Sequence, residues 1–440
     1  MKQLTVDFGR IVGKIKPVNG VNNGPLTCNF AQDARPYYQE AAFPFARLHD
    51  SEYPMGSGEF VDVDCIFKVF SCDENDPASY NFTLTDEYLK AIDETGAKII
   101  YRLGATIEHQ PVKVHVHPPK DFMKWARICE HIIRHYNEGW ADGLHLNIEY
   151  WEIWNEPELS GHQCWTGTTE EYCGFYKTVV RYLKEKFPHL KFGGPAASWP
   201  TSDFARQFLA SLTADGQRAP LDFYSWHAYL TDPRLAAKLA RDTRAMLDEF
   251  GYTQTESVYD EWNYVNDWSN VRPCYKVISG RKGAAFNAAM LCALQHSPCD
   301  ISTYYDGQVR QHESWCGLFA PSLECVHGKA GLVELKKGYY AFKAFAELAR
   351  LGDEAESVIE DGNVYVCAAA GEGGRAVMLV NYQDAECKAE RVKVKLNGAE
   401  NIKMKVLRLC GTKNLDQVGE ITGEGTITLL PYSVTLLTDR

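Results

Sequence analysis

Between residues 18 and 346 short apolar strands alternate with amphipathic helical stretches, and this alternation constrains the fold more than any other feature of the chain. Eight strand candidates follow one another: "VNGVNNGPL", "FPFARLHD", "KIIYRLGA", "EYWEIWNEPE", "LKFGGPAAS", "LDFYSWHAY", "SVYDEWNYV" and "ISTYYDGQ". Strand, helix, strand in this rhythm is the βα unit, whose strands pair in parallel beneath covering helices. Eight such units predict an α/β architecture, the (β/α)₈ barrel.

The intervening segments carry helical signals. In "DFMKWARICEHIIRHYNEG" apolar side chains recur at three- and four-residue spacing through Phe122, Trp125, Cys129, Ile132, Ile133 and Tyr136, and Gly139 closes the run. Thr168 and Glu171 fit a capping box at the head of the next helix, and Pro188 follows its last periodic residue.

Beyond the helix-like "KKGYYAFKAFAELARLG" the texture changes to short alternating stretches separated by Gly, Asn and Asp, such as "RAVMLVNY", "ERVKVKL" and "KMKVLRL". These predict a small β-sandwich, and the alternating N-terminal "QLTVDFGRIVGKI" is expected to pair with it. The division that follows is a barrel over residues 18–346 and a sandwich built from 1–17 and 347–440.

Composition narrows the classes of function. A hydrophobic share of 45% with 24% charged residues is that of a globular enzyme with a large core. The net charge of -12, from 46 basic and 58 acidic residues without any local basic run, disfavours nucleic acid as a partner. No apolar stretch is long enough for a membrane span, and "MKQLTVDFGR" lacks the apolar centre of a signal peptide. The expected location is the cytoplasm, or the outside of the membrane if a leader has been removed. Fourteen scattered cysteines without a single CxxC pair disfavour a zinc ribbon or a dithiol redox site and suit buried free thiols.

In a barrel of this type the reactive groups stand at the carboxyl ends of the strands. Read as one set, those positions hold Arg47 and His49, Arg102, Asn155 and Glu156, His227 and Tyr229, Glu261 and Asn263, and Asp306. Glu156 and Glu261 end the fourth and seventh strands, across the mouth from each other. Paired carboxyls so placed can cleave a glycosidic bond, one as acid and the other as nucleophile or base. The apolar surroundings of Glu156, with Trp151, Trp154 and Pro157 nearby, favour the protonated acid. A hydroxyl such as that of Tyr229 can hold Glu261 ionised as the nucleophile.

Together "EIWNEPEL", "DFYSWHAY" and "YDEWNY" resemble the signatures of the glycoside hydrolase clan that carries Asn-Glu on strand four and a second Glu on strand seven. The likeness is greatest to family 39, which includes β-xylosidases and α-L-iduronidases, and it extends to "NGVNNGP", "ARLHD" and "KKGYYAFKAF". This resemblance implies a retaining, exo-acting glycosidase with Glu156 as acid/base and Glu261 as nucleophile. It further implies Asn155 at the sugar 2-hydroxyl and His49, His227, Tyr229 and Asp306 around the sugar, with no metal or other cofactor. Arg102 and Trp315 complete the candidate substrate-binding set, although Arg102 in "YRLGAT" stands where relatives usually carry Glu. A glycoside is the expected partner.

Two rival readings remain open. The altered third strand suits a carbohydrate-binding protein with a site no longer competent for turnover. His109, His115 and His117 in "IEHQPVKVHVHPP" invite a metal-dependent barrel hydrolase, because residues two apart on a strand share a face. Trp262, Trp268 and Trp315 are the aromatic platform candidates, whereas Trp125, Trp140 and Tyr136 read as helix packing. Arg47 and Arg102 suit a carboxylate-bearing sugar or structural ion pairs, so pentose, hexose and uronic acid all stay open.

Overall fold

The computed structural model describes residues 1–26, 33–51, 59–214, 216–309, 314–321, 333–359 and 363–440. Among these, β1 (Lys2–Lys14) belongs to a separate sheet, and eight further strands close into a parallel barrel. They are β2 (Gly20–Asn22), β3 (Phe45–Leu48), β4 (Lys98–Leu103), β5 (Tyr150–Ile153), β6 (Lys191–Ala197), β7 (Phe223–His227), β8 (Glu256–Trp262) and β9 (Ile301–Tyr304), in that order around the ring.

Helices lie outside the ring for the reasons visible in the sequence. The helix Phe122–Glu138 ends on Gly139, whose φ of 76° is the left-handed conformation that glycine adopts without a Cβ clash. Thr168 and Glu171 form a reciprocal capping box at Thr169–Lys186, satisfying two backbone donors that would otherwise lack partners.

Strand periodicity of two sorts the barrel interior into layers. At the base, Phe45, Ile100, Tyr150, Phe223, Val258 and Ile301 form a small apolar cluster of their own. Two residues further along each strand stand Arg47, Arg102, Glu152, Ser225, Asp260 and Thr303, every one fully buried. An apolar floor thus carries a polar second storey, and the site is built on that storey.

The remaining sheet has nine strands, in the order Asn414–Thr422, Lys403–Leu409, Ser433–Thr438, Gly374–Asn381, Val364–Gly371, Asp353–Ile359, β1, Glu390–Asn397 and Glu424–Leu429. The N-terminal strand therefore joins it centrally, antiparallel to Asp353–Ile359 and parallel to Glu390–Asn397. One face encloses a core that includes Leu4, Val6, Val394, Met404 and Leu437. The other sets Cys367, Met378, Val380 and Leu436 against the large barrel core through the helices Arg281–Gln295 and Lys337–Leu351. The described cysteines are all free thiols.

Candidate active site

Arg47 is the centre from which the site is built. Its Nη1 donates to Glu261 Oε1 at 2.7 Å and to Asn22 Oδ1 at 3.1 Å, Nη2 to Asn155 Oδ1 at 2.6 Å, and Nε to Glu152 Oε2 at 2.8 Å. Asp260 Oδ2 lies 3.0 Å from Nε. A fixed planar fork of donors is what allows one side chain to hold groups from three other strands in register. Burial works against its charge, but Glu152, Asp260 and Glu261 outweigh that and hold Arg47 well above its ordinary value.

Two local irregularities aim the carboxyls. After β5 the backbone turns left-handed at Trp154 (φ 74°) and again at Glu156 (φ 42°), lifting Asn155 and Glu156 out of strand alternation and into the mouth. In β8 the pairing register shifts against both neighbours, so that His227 stands opposite Glu261 while Trp226 stands opposite Tyr259. The extra residue lets Asp260 and Glu261, adjacent in sequence, both reach the Arg47 guanidinium. Trp262 then faces outward into the core against Tyr304 and Phe342, with centroids 5.1 and 6.2 Å away. The expectation of a sugar platform at Trp262 is corrected by that orientation.

One carboxylate oxygen from each of Glu156 and Glu261 and one ring nitrogen of His227 all lie within 4.8 Å of one another. The two carboxyls are nonetheless in different surroundings. Glu261 accepts from Arg47 and, through Oε2, from the Tyr229 hydroxyl at 2.7 Å. Burial raises its pKa, while His227, Arg47 and Tyr229 pull the other way. Glu156 has His227 Nδ1 at 2.7 Å, and burial pushes it up to about 8. His227 is itself driven down to about 4, chiefly by burial, and is a neutral ring. Glu158 accepts from the Ser198 amide and hydroxyl at 2.7 and 2.9 Å, and burial followed by the nearby Glu156 lifts it to about 7.

Of the other residues singled out from the sequence, His49 joins the cluster with Nε2 3.1 Å from Asp50 and 4.0 Å from Glu261. Asn155 is buried beside it and held by Arg47. Asp306 follows β9, fully buried, and the next residue, Gly307, anchors this segment on Asn22 O at 2.9 Å. Trp315 reaches the cluster through Tyr229, with ring centroids 5.7 Å apart, and packs with Trp268 at 5.8 Å and Tyr275 at 5.3 Å. Trp268 is 61% exposed and meets Tyr229 edge-on at 5.1 Å, so an aromatic wall runs from the carboxyls outward. Arg102 stands apart from this set: it is fully buried and gives Nη2 to Asp62 at 2.6 Å.

The three loop histidines diverge. His109 meets Gln163, His117 meets Thr166 and the Lys113 carbonyl, and His115 meets Asp64 at 3.3 Å. His115, Glu59 and Asp62 come close enough together to share an ion. Asp64 holds His115 up at about 9, so an ion at this place would first have to displace that proton. Asp62 is already paired with Arg102.

Glu152 and Asp260 escaped the sequence reading because they lie inside apolar strands rather than at their ends. The available signal was positional: each sits two residues past a floor residue, Tyr150 or Val258, and so faces the barrel interior.

The sequence model of glycosyl hydrolases family 39 matches residues 28–414 of the chain. A β-xylosidase from Geobacillus stearothermophilus is 29% identical over 188 residues, covering 40% of this chain and 36% of that protein, so the match spans little more than a third of the relative's length. Among solved structures, a glucosidase from Croceicoccus marinus aligns with a TM-score of 0.80 at 19% identity, over 100% of this chain and 98% of the other. A monomeric β-xylosidase from Caulobacter crescentus CB15 aligns with a TM-score of 0.71 at 16% identity, over 100% and 99%. At such identities the structural likeness speaks for the fold.

Proposed function

The chain belongs to glycosyl hydrolase family 39, and from that premise we propose that it is a retaining glycosidase in which Glu156 is the acid/base and Glu261 the nucleophile. The observation that carries this reading is the carboxyl pair itself. One oxygen of each group lies within 4.8 Å of the other, an approach in keeping with the roughly 5–5.5 Å carboxyl spacing of a retaining enzyme.

The unlike surroundings support the division of roles. Glu156, lifted to about 8, keeps its proton at neutral pH and can deliver it to the leaving oxygen. Glu261, held on both oxygens by Arg47 and Tyr229, is oriented as an anion toward the anomeric carbon. Departure of the aglycone leaves a glycosyl ester on Glu261. Glu156, now a carboxylate, then takes a proton from the water that hydrolyses the ester from the same face, restoring the starting anomer. Asn155, fixed by Arg47, is placed to bind the sugar 2-hydroxyl, and the wall of Tyr229, Trp315 and Trp268 offers apolar faces to the ring.

A neutral sugar such as xylose fits this chain best, in line with the β-xylosidase among its relatives. The two arginines that the sequence offered to a uronate are both fully buried, Arg47 paired with three carboxyls and Arg102 through Nη2 with Asp62. The barrel and the sheet are taken as separate domains, 18–346 and 1–17 with 347–440, because the sheet encloses a core of its own on the face turned away from the barrel.

A panel of aryl glycosides with and without a chelator tests the proposal. Chelator-insensitive turnover of a β-xyloside or related neutral glycoside with retained product configuration is the expected result; binding without turnover, or loss of activity with chelator, overturns it.

A further inference from the structure

Beneath the carboxyl pair lies a group of buried polar atoms that the reaction scheme above leaves unexplained. His227 Nε2, Asp260 Oδ1, Asp260 Oδ2 and Glu152 Oε1 are all inaccessible to water and have no aligned hydrogen-bond partner. They are neighbours: His227 Nε2 is 3.4 Å from Asp260 Oδ1, and Asp260 is within hydrogen-bonding reach of Glu152. Four orphaned polar atoms in one dry cluster is a large penalty unless they satisfy one another.

One hydrogen on Asp260 shared with Glu152, and one on His227 Nε2, which lies 3.4 Å from Asp260 Oδ1, would pair them. Charge counting leads to the same place. Four carboxyls, Glu152, Glu156, Asp260 and Glu261, surround the single guanidinium of Arg47, and all of them in ionised form would leave three uncompensated buried charges. Glu156 holds one proton. Glu152 and Glu261 receive well-aligned Arg47 hydrogen bonds, whereas Asp260 has Arg47 Nε at 3.0 Å without alignment.

We propose that Asp260 is a neutral carboxylic acid in the resting enzyme, donating to Glu152 and accepting the Nε2 hydrogen of His227, and that it thereby positions the acid proton of Glu156. With its hydrogen fixed on Nε2, His227 presents a bare Nδ1 lone pair to Glu156 Oε1 at 2.7 Å. That lone pair accepts the Glu156 proton and holds the carboxyl in one orientation until a glycoside displaces it. Asp260 touches no substrate; it acts through His227. Burial and Glu152 drive the Asp260 carboxyl upward, while Glu152 is held down by Arg47 and by hydrogen bonds from Asp260 and Ser225. The groups facing Asp260 are Arg47 on β3, Glu152 on β5, His227 on β7 and Glu261 beside it on β8, and the Thr303 hydroxyl of β9 caps its carbonyl at 2.6 Å.

The inference rests on the reading of Glu156 as acid, and two measurements keep the two claims apart. The first needs no turnover. In ¹⁵N-histidine protein the His227 signals, picked out from the 13 histidines by difference with His227→Gln, are expected to show a hydrogen-bearing Nε2 and an unprotonated Nδ1 at about pH 6 to 7. An Nδ1–H tautomer or an imidazolium in that range overturns the proposal, whatever the enzyme hydrolyses.

The second measurement compares Asp260→Ala with Asp260→Asn. An amide reproduces the neutral acid, its NH₂ donating to Glu152 and its carbonyl accepting from His227. Alanine is expected to lower kcat/KM about 30-fold to 10³-fold on alkyl glycosides and less than about 10-fold on nitrophenyl glycosides, whose leaving groups need little proton assistance. Asparagine should recover most of that loss. If Asp260 is an ionised counter-ion of Arg47, Asn damages at least as much as Ala; if its role is only structural, both substrate types fall together. Either result overturns the proposal.

Discussion

The hydroxyl of Tyr229 donates to Glu261 Oε2 at 2.7 Å, while its ring meets Trp315 at 5.7 Å. One side chain therefore joins the Glu261 carboxyl to the aromatic wall that leads out of the site. Tyr229→Phe keeps the wall and deletes only the donor. A hydrogen bond to a charged acceptor contributes about 1.5–3 kcal/mol, so kcat/KM should fall roughly 10-fold to 10²-fold with the melting temperature little changed. Parental kinetics in the Phe variant would remove Tyr229 from the account of Glu261.

The pH dependence follows from Glu156. Its carboxyl is moved from 4.5 up to about 8, so the active protonated form is lost as pH rises through 8. The kcat/KM profile should turn down there, approaching a slope of about one decade per pH unit. Stability has the same sign. Between 4.5 and about 8 the folded state keeps a proton that the unfolded chain has released, so Glu156 supports folding fully below 4.5 and ceases to do so as pH passes 8. Glu156→Gln cannot titrate. Melting curves of this variant between pH 5 and pH 8.5 should decline less than those of the parent.

Arg47 carries the heaviest structural duty in the site. Replacing it with Leu leaves Glu152 and Glu261 buried without their cation, and breaking a buried pair on one side costs about 3–5 kcal/mol. The urea midpoint of Arg47→Leu should drop accordingly. Arg47→Lys should recover part of the stability but little activity, since a single ammonium cannot serve Asn22, Asn155, Glu152 and Glu261 at once.

The N-terminal strand is not a passive tail. β1 is hydrogen-bonded along both edges, and Lys16 beyond it caps the carbonyls of Leu294, Ser297 and Cys299 at the end of a barrel helix. Removing residues 1–16 opens two sheet edges and orphans those carbonyls. Such a truncation should aggregate or melt well below the parent; equal stability would contradict the pairing.

How much of this was legible beforehand varies with the kind of signal. The barrel was readable because eight strand-and-helix alternations leave few other folds, and the sandwich because period two is hard to mistake when it recurs over successive short strands. Glu156 and Glu261 stood out as charged residues where apolar strands end. Glu152 and Asp260 did not, since one charge within an apolar strand has no visible partner until the ring closes and brings β3, β5 and β8 around it. Arg47 and Arg102 illustrate the same limit. Sequence offers a cation at a strand end, but only folding reveals that Asp62, on the loop before a short helix, is the residue Arg102 meets. Trp262 looked like a platform because it stands at a strand end, and a register shift in β8 turns it outward.

The decisive test of the two carboxyl roles uses Glu156→Ala, because loss of an acid/base burdens the two chemical steps unequally. Glycosylation of Glu261 requires a proton when the leaving group is poor, so rates on alkyl or sugar aglycones should fall roughly 10²-fold to 10⁴-fold, while aryl groups that depart unaided should still be released. Deglycosylation requires the same residue as base, so the glycosyl ester on Glu261 should accumulate and appear as a burst of aryl alcohol. Azide needs no base. It fits the space vacated beside His227, attacks the ester, and should restore turnover with a glycosyl azide of retained configuration as product. Glu261→Ala has no nucleophile and should give no burst; any azide adduct there must arise by direct displacement and carry the opposite configuration. Product anomers read by NMR separate these outcomes, and azide acting on the two variants in the reverse pattern would exchange the roles of Glu156 and Glu261.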